Sequence, residues 1–114
     1  MEAEVTRKGD AAKLAKLARL AEAQATAELA RLRERRSVVA AVEDQIEGIK
    51  GHHSAPAEFA AFAATWESFR RQRREELSAE LARARAAELD QLDLAQEANG
   101  RKVVLEELAK RAAR

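Results

Sequence analysis

Two lines of apolar positions run along this chain, each stepping by three and four residues. The first passes through Leu14, Ala18, Ala21, Ala25, Leu29, Leu32, Val39, Val42, Ile46 and Ile49, with Arg35 or Arg36 as its one charged step. That spacing puts its members on one face of an α-helix. Asp10, after Gly9, reads as an N-cap, and Gly48 and Gly51 bracket the stop, so helix 1 is predicted over about residues 10–50. The second line is Phe59, Phe62, Trp66, Phe69, Arg73, Leu77, Leu81, Ala84, Glu88, Gln91, Leu94 or Ala95, and Ala98. Residues 51–54 read as a tight turn, Ser54 as the next N-cap and Pro56 as a first-turn residue, which predicts helix 2 over about residues 55–112. Asn99-Gly100 is the only breaker inside it and the point where it could bend.

A helix of roughly 40 residues is about 60 Å long and is not stable alone in water, so each stripe needs a partner, and the other stripe is at hand. In an antiparallel pair, facing residues have numbers that add to a nearly constant value. Ile49 with Phe59, Ile46 with Phe62, Val42 with Trp66 and Val39 with Phe69 each add to 108, as does Arg35 with Arg73. Farther from the turn, Leu32 with Leu77, Leu29 with Leu81, Ala25 with Ala84 and Leu14 with Ala95 drift only to 110. The expected fold class is all-α: a long antiparallel two-helix coiled-coil hairpin, with residues 1–114 as a single domain. In this register the aromatics clamp the turn end, and the alanine-rich far end buries less area and frays first. Val103, Val104, Leu105 and Leu108 are left uncovered. They call for a helix 1 extended by the N-terminal residues, a second copy of the chain, or another protein.

Composition supports the helices and narrows the function. Of 114 residues 36% are charged and only 4% aromatic, which suits a long helix that buries a narrow stripe and leaves little for a globular core. Twenty-one basic against twenty acidic residues give +1, so no overall field draws the chain to nucleic acid or anionic lipid, and such binding needs a local patch. Without cysteine there is no disulfide, thiolate nucleophile or thiolate zinc site. The polar start, "MEAEVTRKGD", and the lack of a long apolar run read as a soluble, cytoplasmic protein with no membrane insertion.

Candidate chemistry is sparse. His52-His53 sits in the turn with no third ligand at a short spacing, so no metal site is assigned. Glu75-Glu76 and Glu106-Glu107 have no dry pocket to raise a carboxyl pKa and read as helix-surface ion-pair partners. No glycine-rich phosphate loop is present, and neither a catalytic residue, a cofactor nor a small-molecule substrate is expected. Two arginine runs, "RLRERR" at 31–36 and "RRQRRE" at 70–75, come to one height in the 108 register. They read either as a solvated band snorkelling over the seam or as a patch for an anionic partner such as nucleic acid, though no aromatic residue interleaves with them. In the C-terminal segment, the apolar residues are edged by Arg101, Lys102, Lys110 and Arg111, which favours a protein-binding end.

The aromatic opening "F..F...WE", the continuation "EL...LA..R..ELDQ", the ending "GRKVVLEELAKR" and, more loosely, "KLAKLARLAEAQATAELARL" in the first helix resemble the flagellar export protein FliJ family of type III secretion systems. The resemblance implies an antiparallel coiled coil similar to the central stalk of rotary ATPases. It implies a non-enzymatic protein whose end carrying both termini binds the hexameric export ATPase ring and promotes its activity. The export gate and export chaperones are further partners, and the location is cytoplasmic, peripheral to the export apparatus. Carried onto this chain, the partner-binding residues are Arg101, Lys102, Leu105, Leu108 and Arg111. Two other classes stay open: a structural or oligomerising coiled coil, and a nucleic-acid-binding coiled coil acting through the arginine runs.

Overall fold

The computed structural model describes residues 2–50 and 61–114, with side chains of the first helix described from residue 8 onward. It is all-α, built of helix α1, Glu2–Lys50, and helix α2, Ala63–Ala113. The turn at 51–54, Ser54, Pro56, the histidine pair and Phe59 lie outside the described residues, as do the first residues expected of helix 2.

Helix α1 begins at Glu2, ahead of the Asp10 cap read from the sequence. A glycine inside a helix costs about 1 kcal/mol relative to alanine, too little for Gly9 to end a helix whose neighbours are strong formers. The helix closes with Lys50 in its last turn, where the helix dipole favours a cation. In α2, Ala61 and Phe62 form a 3₁₀ turn and the α-helix proper starts at Ala63. It runs without a break through Asn99-Gly100.

Two compact units make up the fold: Met1–Arg33 with Asp90–Arg114, and Glu34–Leu89. Within each, a segment of α1 packs antiparallel to a segment of α2. In the first unit the Gln91 amide reaches Glu28. In the second, Arg70 reaches Ile49, Arg73 reaches Gln45, and Arg36 pairs with Glu88. Facing pairs therefore do not add to 108. Glu28 with Gln91 and Ile49 with Arg70 both add to 119, and Gln45 with Arg73 to 118. The displacement of eleven residues is three helical turns. A stripe slid by three turns lands on itself, so apolar periodicity cannot tell the two registers apart. Polar contacts, invisible to a count of apolar positions, make the choice.

The register decides which side chains are core. In the second unit Leu77 is fully buried, across from Val42, and Val39 and Val42 are buried with it. Phe62 and Phe69, expected to clamp the turn end, are 63% and 60% exposed, and Arg70 takes the seam position beside the half-buried Trp66. The line 66, 70, 73, 77 steps by four, three and four, whereas Phe69 stands 100° around the helix from Arg70. In the first unit, Ala18 and Ala98 are buried and the 119 register sets Leu14 across from Leu105. Of the three covers considered for Leu105, the structure supplies the first, α1 extended to its N-terminus.

The two registers predict opposite outcomes for mutation. Leu77→Ala is expected to lower stability by about 2–5 kcal/mol, while Phe69→Ala, on an exposed site, stays within about 0.5 kcal/mol. Urea unfolding followed by helicity measures both, and the reverse order would mean that the aromatic clamp is real.

Candidate functional site

The last turns of α2 present two adjacent lines. Lys102, Leu105, Ala109 and Ala112, stepping by three, four and three, are half-buried on the side turned to α1. Arg101, Val104, Leu108 and Arg111, at the same steps, are exposed. The five residues expected to bind a partner thus divide: Arg101, Leu108 and Arg111 share the open line, while Lys102 and Leu105 belong to the seam. Val104, 58% exposed, completes the open line and is not among the expected five. Its spacing from Arg101 and Leu108 is the signal that could have found it. Glu97, Gly100, Arg101, Val104 and Leu105 line a shallow hollow of about 490 Å³. Its floor is Gly100, where an added Cβ would meet nothing within 4 Å. Arg111 Nε lies 3.4 Å from Glu107 Oε1, an exposed pair worth little on its own.

Farther up the first unit lies a buried polar layer. Gln91 Nε2 donates to the Glu28 carbonyl at 3.0 Å and to Glu28 Oε2 at 2.6 Å. Gln24 Nε2 donates to Glu28 Oε1 at 3.0 Å, and Arg31 pairs with the same oxygen. Both Glu28 and Gln91 are buried. Here a carboxylate is held by two amides and a guanidinium, so its lone pairs are spent on structure. Gln91 is visible in the sequence as a polar step in the second stripe. Glu28 is not, because Leu29 beside it fits the apolar line equally well.

The arginine runs do not meet as the sequence suggested. Arg73 hydrogen-bonds to Glu76 at 3.4 Å and Gln45 at 3.3 Å, and Arg36 pairs with Glu88 at 3.6 Å. Nine residues of α1, about 13 Å, separate these two levels, so the expected clash of Arg35 with Arg73 does not arise. Arg70 has left the surface altogether. Its side chain is buried, donating from Nη2 to the Ile49 carbonyl and from Nη1 to Glu67 Oε1, both at 3.2 Å. The Ile49 carbonyl is among the four that α1 leaves unpaired at its C-terminus, and a cation is favoured at that pole.

Beside this cap is the largest aromatic surface. Trp66 and Phe69 stack with centroids 6.2 Å apart. With Phe62 and Thr65 they line an open hollow of about 340 Å³. A smaller one of about 140 Å³ joins Trp66 and Phe69 to Ile49, Arg70 and Arg73. Arginine and aromatic side chains therefore adjoin here, which the linear sequence does not show.

Among the described residues no three His, Cys, Asp or Glu side chains gather where they could hold a metal ion. No helix among them is long and apolar enough to cross a membrane. Comparison with known proteins yields nothing: no family model, curated protein or solved structure matches the chain.

Two substitutions probe the site's framework. Gln91→Leu strands the buried Glu28 carboxylate and is expected to cost about 1–3 kcal/mol. Replacing both residues by leucine should recover most of that loss, and a double-mutant cycle with no coupling would disprove the layer. Gly100→Ala is expected to raise stability by about 0.5–1 kcal/mol, read as a higher melting temperature.

Proposed function

We propose that this chain is a non-enzymatic coiled-coil component of the flagellar type III export apparatus, a cytoplasmic stalk or escort that binds the hexameric export ATPase and promotes its activity. The observation that carries the reading is the open line Arg101, Val104, Leu108 and Arg111: apolar side chains bracketed by cations, on a helix whose neighbouring line is already held by α1. An apolar strip with a charged rim is what a helix presents to a groove, and packing of the adjacent line orders it before binding. The same stretch contains the "GRKVVLEELAKR" ending on which the family resemblance rests. Arg101 and Arg111 steer and orient the encounter, Val104 and Leu108 supply the desolvated contact, and Lys102 and Leu105 keep the helix seated. The export gate and export chaperones belong to the same proposal as further partners, with no small-molecule substrate and no cofactor.

A second reading has its own support. Phe62 and Phe69 are exposed beside a half-buried tryptophan, and such surfaces promote self-association. An oligomerising coiled coil would sediment with a mass that rises with concentration, and Phe62→Ser with Phe69→Ser would abolish the rise.

The export reading is tested by Val104→Ala with Leu108→Ala, assayed for stimulation of the purified export ATPase. The expected result is unchanged helicity with stimulation reduced about tenfold or more, the loss typical of two central apolar contacts. Full stimulation by the double variant overturns the assignment.

A further inference from the structure

The two ends of this hairpin are best satisfied by different registers. In the second unit Val39, Val42 and Ile46 would find their largest apolar partners in Phe69, Trp66 and Phe62, as the sequence pattern shows. Instead, Ile46 lies level with Arg73, and Phe62 and Phe69 stand in solvent. In the first unit the bonds from Gln91 to Glu28 form only in the observed register, and there α1 covers Leu105. Because α2 is one unbroken helix from Ala63 to Ala113, it cannot satisfy both demands at once.

We propose that the hairpin has a second register, displaced by three turns, in which Phe62, Trp66 and Phe69 close on Ile46, Val42 and Val39. In this state the aromatic hollow disappears, the Arg70 cap on Ile49 is released, and the residues of α2 after about 106 have no α1 residue across from them. The two states are discrete. A slide of one turn puts Arg73 across from Val42, and a slide of two turns puts Arg70 there, so each intermediate drives a guanidinium into the apolar seam. Three turns is the next offset at which every large apolar residue of this unit again meets an apolar one. The seam itself opposes the exchange only weakly, since much of it is alanine. Polar bonds hold the observed state: Gln91 on Glu28, Arg70 on Ile49 and Arg73 on Gln45. The second state gains aromatic burial and meets the one conflict the first avoids, Arg35 level with Arg73.

Such a seam is a two-state element that ligands at either end bias in opposite directions. A partner seated on Phe62 and Phe69 holds the observed register. One that takes the inner line at Leu105, in place of α1, favours the other. By linkage, each partner weakens the binding of its counterpart. This inference does not depend on the identity of either partner.

The chain contains no cysteine, so engineered pairs report the register directly. Gln45→Cys with Arg73→Cys reads the observed state, and Arg35→Cys with Arg73→Cys the second. In the observed state Arg35 is level with Ala84, about 16 Å along α2 from Arg73, and a disulfide tolerates a Cα separation of only about 7 Å. Arg35→Cys with Ser78→Cys, midway between the registers, serves as control for general loosening. Oxidation is carried out on dilute full-length chain, with intramolecular closure read on non-reducing gels and by peptide mapping. The expected result is rapid closure of 45/73, slower closure of 35/73, and still slower closure of 35/78. Adding Glu28→Ala with Gln91→Ala should speed 35/73 by about tenfold without speeding 35/78. Closure of 35/73 no faster than 35/78, or unchanged by removal of the polar layer, overturns the proposal. Closure of 45/73 confirms in the same experiment that the observed fold has formed.

Discussion

A buried glutamine side chain bonded to a glutamate one helix away is the constraint on which this structure turns. Two long helices with narrow apolar stripes have no interior to dictate how far one should slide along the other. Apolar contact is non-directional and repeats every turn, so many offsets bury similar area. The Gln91 amide is different: it must lie within hydrogen-bond reach of Glu28, and if it does not, two buried polar groups lose their partners. At the far end of α1, Arg70 imposes the same condition on the Ile49 carbonyl. Both conditions are met at one offset, and polar residues inside coiled-coil seams have this registering effect in general.

Much of the functional geometry is a consequence of that offset. Sliding α2 by three turns relative to the purely apolar match exposes the aromatic surface of the second unit and draws the C-terminal segment against α1 in the first. The result is a helix with an inner line held in place and an outer line, Arg101, Val104, Leu108 and Arg111, left open. The arginine runs are parted by the same shift, and Arg36, Arg70 and Arg73 find carboxylates, an amide and a carbonyl in place of each other. The like-charge conflict in the seam belongs to the register that the chain has not taken. Catalytic chemistry has no foothold in this arrangement: the one well-buried carboxylate, Glu28, is engaged on every side by structural partners.

Several elements are legible in the residues themselves. The steps of three and four through Val39, Val42 and Ile46 and through Leu77, Leu81 and Ala84 define helix faces without ambiguity, and each of these side chains is buried or half-buried. The terminal strip is legible too, as apolar residues edged by cations. Local signals mislead where they are weaker than their surroundings. Gly9 and Asp10 look like a helix start, yet the helix-forming residues before them carry α1 to Glu2. Phe69 looks like core because it is large and apolar, yet Arg70, one residue on, has a carbonyl to bind and takes the place.

That the chain forms two long antiparallel helices follows from its residues alone, because helical propensity and apolar periodicity are local properties summed along the chain. The faces those helices bury follow in the same way over most of their length. The register is set by tertiary contacts, and with it the exposure of Phe62 and Phe69, the capping role of Arg70 and the division of the C-terminal residues into an inner and an outer line. Periodic apolar stripes match at more than one whole number of turns, whereas a hydrogen bond between Gln91 and Glu28 exists at one separation only.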